Sequence, residues 1–167
     1  YYSSGLYRQT LGITIDAMDA DEKRRSDEVA AWLLAHDVKP VRHLDIGASR
    51  GYLLDNMGAS VAHGMDENES YGANIVRRDT LNRYELVTSV HCLEHVTDPL
   101  KELEFYKSLS LDKVYIEVPG ADCKGGPLRF AHLFYFPPAL LVDMAEAVGL
   151  HVLEMETDPN TRILCRV

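Results

Sequence analysis

The sequence of 167 residues has little of what marks disulfide-rich or membrane-spanning chains. Its three cysteines, Cys92, Cys123 and Cys165, are odd in number and lack Cys-x-x-Cys spacing, which argues against a disulfide framework and a thiolate zinc site. The most apolar run, residues 133–142, contains two prolines and is far shorter than the roughly 20 residues of a membrane helix. We therefore expect a reducing setting, with the cytoplasm as the default location, and no membrane partner.

Positive charge is also scarce, because 17 Lys and Arg stand against 26 Asp and Glu and give a net charge of −9. Such a chain repels phosphate backbones, so we expect no nucleic-acid partner. Internal repeats and long Pro/Gly/Ser linkers are absent, which predicts one domain over residues 19–167 preceded by an extension over 1–18. Because the sequence begins with Tyr1 rather than Met, we also expect it to be part of a larger protein.

Short β-like runs alternate with helical stretches along the chain. Asp19 and Glu22 have capping-box spacing and predict a helix over 21–36, and Asp98 and Pro99 predict the start of another over 99–108. Further helices are expected over 50–57 and from Pro138 to Gly149. The strands are predicted over 42–46, 60–65, 74–76, 84–90, 113–118, 151–157 and 162–167. This α/β alternation predicts a mostly parallel sheet, whereas the short turn at 158–160 requires an antiparallel final pair.

The strongest chemical pattern is residues 43–54, in which a buried strand enters a glycine turn and then a helix. In open α/β sheets the ligand crevice lies at the carboxyl ends of the strands, beside such a turn. Asp66 ends the next strand 21 residues after Asp45, at the spacing where an acid binds ribose hydroxyls. Together these two features predict an adenosine-type ligand.

The glycine pattern narrows the choice of ligand. Ser49 and Tyr52 occupy the second and third glycine positions of a dinucleotide motif, which disfavours NAD and FAD. Asp45 would repel phosphates but suits a ligand that carries an ammonium and a sulfonium. The turn therefore favours S-adenosylmethionine as the cofactor.

Four segments together resemble the class I S-adenosylmethionine-dependent methyltransferases, in particular a subgroup that modifies small molecules and glycans. They are residues 44–51 (LDIGASRG), 93–99 (LEHVTDP), 114–120 (VYIEVPG) and 132–136 (HLFYF). The resemblance implies a Rossmann-like sheet of seven strands in the order 3-2-1-4-5-7-6, with strand 7 antiparallel. It also implies methyl transfer to a small-molecule or sugar-like acceptor by in-line displacement.

One segment departs from this family. Only residues 67–83 separate Asp66 from the fourth predicted strand, where the family usually places helices and its third strand. At about 1.5 Å per helical residue this length cannot hold two ordinary helices and a strand, so we expect reduced helices there. Asp79 falls where the family often binds the adenine amino group.

The resemblance and the strand ends assign residues to the site. The predicted cofactor-binding residues are Asp45, Gly47, Ala48, Ser49, Gly51, Tyr52, Asp66, Glu67, Asp79, Ser89, His91, Tyr2 and Arg8. Tyr2 and Arg8 would fold over the cofactor, with Arg8 pairing its carboxylate, unless the terminus is only partly ordered. His95 and His132 are candidate general bases, and Glu94 is the candidate that orients His95. Alternatively, each histidine is structural and Glu94 caps the following turn.

Three further hypotheses concern the segment around Glu94. The spacing His91-x-x-Glu94-His95 matches an inverted zinc-protease motif, but it follows a β-rich run instead of lying within a helix, which argues against a protease. No metal ligand is assigned, although a metal-assisted O-methyltransferase with a divalent ion at Glu94 and His95 is the alternative enzyme. In a different class, the chain is a degenerate cofactor-binding or interaction domain.

Overall fold

The computed structural model describes residues 14–66, 82–120 and 132–167 and contains a six-stranded sheet. The strands run in the order β2-β1-β3-β4-β6-β5, and the first four are parallel. β6 is antiparallel to both β4 and β5. The strands are β1 (Arg42–Ile46), β2 (Val61–Met65), β3 (Tyr84–Val90), β4 (Ser110–Val118), β5 (His151–Glu156) and β6 (Thr161–Arg166).

This sheet confirms the predicted fold class and the terminal antiparallel hairpin. Its order is the predicted 3-2-1-4-5-7-6 without the predicted third strand, which falls at 74–76, outside the described residues. The expected extension over 1–18 lies mostly outside them as well, so the domain boundary remains a prediction. β4 begins three residues earlier than predicted, because Ser110 already pairs with Tyr84 of β3.

Four α-helices pack on the two faces of the sheet within the described part of the chain. They are α1 (Ile15–Ala35), α2 (Tyr52–Met57), α3 (Pro99–Leu109) and α4 (Pro138–Ala147). Alternate residues of each central strand point to opposite faces, so Leu44 and Ile46 join the core under α3 and α4. Leu86 and Tyr115 instead pack against α1. Over the same residues, no helix combines the length and the apolar character needed to cross a bilayer.

The first two helices correct two predicted boundaries. α1 begins at Ile15 and not at Asp21, because the Thr14 hydroxyl, rather than Asp19, caps it by accepting from the Ala17 N–H at 3.2 Å. α2 begins at Tyr52 and not at Arg50, because Gly51 adopts a left-handed φ of +80° that a helix cannot contain. α3 begins as predicted, with the Asp98 carboxylate accepting from the Lys101 N–H.

Candidate functional site

The carboxyl ends of β1, β2 and β3 bring a glycine turn and two acids together. Gly47, with φ +78°, follows β1 and donates its N–H to the Met65 carbonyl of β2 at 2.7 Å. Ala48 donates to the same carbonyl at 3.3 Å. A Cβ on Gly47 would lie 3.2 Å from the Cys92 side chain, just beyond β3. Glycine thus lets the turn pass between the ends of β2 and β3.

Asp66 lies directly beside this turn. One oxygen of its carboxylate, Oδ2, accepts a hydrogen bond from the Ser49 backbone N–H at 2.8 Å. Ser49 itself has a φ of +46°, a strained value that aims its N–H at the carboxylate. The structure therefore brings the predicted ribose acid and the predicted cofactor turn into direct contact.

The amino-terminal half of α1 covers the turn with acidic side chains, a feature that sequence reasoning missed. Ser49 Oγ donates to Glu22 at 3.1 Å, and the Tyr52 hydroxyl donates to Asp19 at 2.6 Å. Arg50 pairs with Asp19 at 2.7 Å. Asp19 and Glu22, interpreted as a capping box, in fact hold α1 against the turn. The side chains of Ser49 and Tyr52 therefore contact α1.

Asp45 is buried at the end of β1, and its carboxyl group has a raised pKa. Its Oδ1 accepts from the Thr88 hydroxyl of β3 at 2.7 Å. The pKa of Asp45 is raised to about 7, mainly by burial; the Thr88 hydrogen bond opposes this rise, and the charge of Asp66 contributes to it. A cation placed near Asp45 and Asp66 would stabilise the ionised form of Asp45.

Ser89 and His91, at the end of β3, are held by protein groups. The Ser89 hydroxyl is buried and donates to the Tyr106 oxygen at 3.1 Å. His91 has a φ of +51°, and its N–H donates to the Glu117 carbonyl at 2.9 Å. Burial lowers the pKa of His91, although the nearby Glu117 carboxylate favours the charged ring.

Glu117, at the end of β4, is a buried residue that the sequence analysis missed. Its carboxylate accepts from the Tyr115 hydroxyl at 2.7 Å and from the Asn160 amide at 2.9 Å. The Arg162 Nε lies 3.4 Å away. Burial alone would raise the pKa of Glu117, but its hydrogen bonds and cationic neighbours outweigh burial and lower it. This network fixes the backbone that presents His91.

The three predicted catalytic residues come together at the same edge. A short 3-10 helix, Leu93–His95, carries Glu94, whose carboxylate is buried. Glu94 Oε1 lies 3.7 Å from His95 Nε2 and 4.0 Å from His132 Nε2. The two imidazole rings stand edge to face with centroids 4.9 Å apart. Leu133 donates its N–H to the Glu94 carbonyl at 2.8 Å, which anchors the segment that carries His132.

This cluster also has the composition of a metal site. One ligand atom from each of Glu94, His95 and His132 lies within 4.8 Å of the other two. Imidazole nitrogens and a carboxylate oxygen are common ligands of divalent transition metals. The remaining predicted site residues, Tyr2, Arg8, Glu67 and Asp79, lie outside the described part of the chain.

Comparison with known proteins identifies the family. A family model described as a methyltransferase domain matches residues 18–155, which is most of the chain. The chain belongs to this methyltransferase domain family. The match spans the glycine turn, Asp66 and the Glu94–His132 cluster. A search of curated proteins finds no significant match.

Solved structures share the fold of this methyltransferase domain at low sequence identity. Magnesium protoporphyrin IX methyltransferase from Synechocystis PCC 6803, with bound SAH, is 15% identical at a TM-score of 0.71, covering 99% of this chain and 96% of that one. A putative methyltransferase of Haloferax volcanii, in complex with the Trm112 activator, is 15% identical at a TM-score of 0.71, covering 90% and 94%. A SAM-dependent methyltransferase from Aquifex aeolicus is 13% identical at 0.62, covering 83% and 89%.

Proposed function

We propose that the protein transfers a methyl group from S-adenosylmethionine to a small-molecule or sugar-like acceptor. The observation that carries this proposal is the hydrogen bond between the Ser49 N–H and Asp66. This bond joins the glycine turn to Asp66, an acid at the sequence spacing typical of a residue that binds ribose hydroxyls. Membership of the methyltransferase domain family and the SAH- and SAM-bound structures of similar fold support the same cofactor.

The residues present suit this cofactor. Asp66, held beside the glycine turn by the Ser49 N–H, can accept from two ribose hydroxyls. Asp45 offers a buried carboxylate to an ammonium. The absence of a second and third glycine leaves a turn that would crowd a pyrophosphate. When bound, the cofactor supplies a methyl group already activated on a positively charged sulfur.

The acceptor side of the proposed site contains His95, His132 and Glu94. An oxygen nucleophile must lose a proton as it takes a methyl group, and an imidazole is suited to accept that proton near neutral pH. The Glu94 carboxylate lies within 4.0 Å of both rings and would favour the protonated product. We assign the base role to the His95–His132 pair and the orienting role to Glu94.

Calorimetry with S-adenosylmethionine and S-adenosylhomocysteine tests the cofactor assignment. We expect Asp66→Ala to weaken binding of both compounds about tenfold or more, because charged hydrogen bonds to ribose are lost. Asp143→Ala, at an exposed acid of α4, is the matched control and should bind like wild type. A folded wild-type protein that binds neither compound would overturn the proposal and favour an interaction domain instead.

A second candidate function is metal-assisted O-methyl transfer. The observation that favours it is the grouping of Glu94, His95 and His132 within 4.8 Å. In that case these residues would hold a divalent ion that lowers the pKa of the acceptor hydroxyl.

Metal binding is tested on the protein itself. If this candidate is correct, Zn²⁺ or Mn²⁺ should bind the wild type in calorimetry, and His132→Gln should weaken that binding tenfold or more. His151→Gln, at an exposed histidine of β5, is the control. A chelator should then abolish methyl transfer, and one ion should restore it. Equal metal affinity of all three proteins would contradict the candidate.

The proposed setting is the cytoplasm, with no nucleic-acid or membrane partner. Cys92 and Cys165 are free thiols, which fits a reducing compartment. Burial raises the pKa of both thiols to about 12, so neither is a reactive thiolate at neutral pH. The net charge of −9 also disfavours binding to phosphate backbones.

A further inference from the structure

A buried line of three polar side chains leads to Asp45 from inside the sheet. His43 Nε2 lies 2.8 Å from Thr88 Oγ1, and Thr88 Oγ1 lies 2.7 Å from Asp45 Oδ1. His43 and Thr88 are fully buried and Asp45 is 4% exposed. Asp45 and Thr88 are direct partners in the β1–β3 register, so the two strands hold this contact rigidly.

The protons in this line can be assigned from its geometry. Thr88 has one hydroxyl proton and two acceptors in reach, Asp45 at 2.7 Å and the Leu44 carbonyl at 3.4 Å. When Asp45 is ionised, its contact with the Thr88 hydroxyl is the stronger of the two, because it is shorter and its acceptor is charged. The Thr88 oxygen must then accept from His43, which fixes the His43 tautomer with its proton on Nε2. Burial lowers the pKa of His43 to about 3, so the ring stays neutral.

Burying this line of polar side chains inside the sheet costs free energy. His43 Nδ1 is buried and has no hydrogen-bond partner among the described residues. Leu44 and Ile46, on the other face of β1, show that apolar residues fill this strand elsewhere. Apolar residues at 43 and 88 would avoid the cost of burying polar groups. The line therefore indicates a role beyond packing.

We propose that Thr88, oriented by His43, is a positioning residue that aims the Asp45 carboxylate at the cofactor's ammonium. This inference rests on the proposed function. A carboxylate that accepts a fixed hydrogen bond on one oxygen presents the other in a defined direction. The bond also favours the ionised form of Asp45, whose other titratable neighbours are His43, Asp66 and Cys92.

The test measures S-adenosylmethionine affinity by calorimetry from pH 5.5 to 9 for wild type, Thr88→Val and Thr88→Ser. Valine keeps the shape of threonine but has no hydroxyl, so we expect about tenfold weaker binding at pH 7. We also expect the affinity of Thr88→Val to level off at a higher pH than that of wild type, because Asp45 ionises less readily without this hydrogen bond. Serine retains the hydroxyl and should restore both the affinity and the pH profile.

A double-mutant cycle separates positioning from damage to the fold. In an Asp45→Asn background, Thr88→Val should change the affinity less than about twofold, because its partner carboxylate is gone. A tenfold loss in both backgrounds would overturn the inference. If Thr88→Val does not fold, His43→Leu serves instead, with an expected loss of about threefold and a shift in the same direction.

The two proposals fail in different ways. Wild-type protein that binds no S-adenosylmethionine overturns the proposed function and this inference together. Wild-type protein that binds the cofactor, with Thr88→Val unchanged in affinity and pH profile, overturns this inference alone.

Discussion

Asp45→Asn is expected to weaken S-adenosylmethionine binding ten- to a hundredfold while stabilising the ligand-free protein at pH 8. The loss of binding follows from the loss of a buried carboxylate that pairs with an ammonium, an interaction worth about 1.5–3 kcal/mol. The gain in stability follows from the same burial, because an amide carries no charge into the sheet. Function and stability thus oppose each other at one residue.

The stability effect has a definite pH window. Burial raises the pKa of Asp45 from the ordinary value of 3.8 to about 7. Between those values the folded state keeps a proton that the unfolded chain has released, so wild-type stability falls as pH rises through the window. Above pH 7 the full cost is present, on the order of 4 kcal/mol at most. Below pH 4 both states are protonated, and the cost vanishes.

Urea unfolding of ligand-free wild type and Asp45→Asn at pH 5 and pH 8 measures this cost. We expect the variant's advantage in unfolding free energy to be larger at pH 8. Asp143→Asn, at an exposed acid of α4, should show no such change with pH. Saturating S-adenosylmethionine should reduce the advantage at pH 8, because the cofactor binds the wild type more tightly. A difference that is the same at both pH values would contradict the assignment of the buried charge.

Much of the sheet could be predicted because buried strands have a recognisable pattern of residues in the sequence. β1 and β3 fall at the predicted residues, because each is a short β-like run that ends at a turn. The final hairpin was predictable because its turn is too short for a crossover. Strand ends also placed Glu94, His95 and His132 at one edge, and the structure brings them within contact distance.

The missed features depend on side-chain partners that a linear pattern does not reveal. Asp19 and Glu22 have the spacing of a helix cap, yet they contact Tyr52 and Ser49 of a turn distant in sequence. Thr88 resembles an ordinary strand residue, and only the β1–β3 register shows that it faces Asp45. Periodicity predicts which residues are buried, whereas register decides which buried polar groups meet.

The same limit applies to the network at the end of β4. Glu117 lies in an apolar strand, where a single acid has no pattern of its own. Its partners outside β4 come from two segments, the end of β3 and the start of β6, and Arg162 and Asn160 reach it only because β6 runs antiparallel to β4. A buried acid within an apolar strand is the one available clue, because an unpaired charge there would be costly.

His95→Gln and His132→Gln are expected to lower kcat for methyl transfer by 10²- to 10⁴-fold, the contribution of a positioned general base. The assay follows a labelled methyl group from S-adenosylmethionine to a panel of phenolic and sugar acceptors, using whichever acceptor the wild type turns over. Cofactor affinity should stay within about twofold of wild type, because both rings are assigned to the acceptor side of the proposed site. His151→Gln, far from the cluster, is the matched control.

The two histidines lie against one carboxylate, so their effects should not be additive. Because the rings are 4.9 Å apart and share Glu94, removing either one disrupts the same proton-accepting unit. The double variant should therefore be little slower than the slower single variant. Single-turnover rates of wild type should rise with pH as an imidazole loses its proton. This rise should disappear in the histidine variant that lacks the general base. Full activity in both single variants would remove the base role from this cluster, whereas loss of activity reversed only by added metal would assign the histidines as ligands.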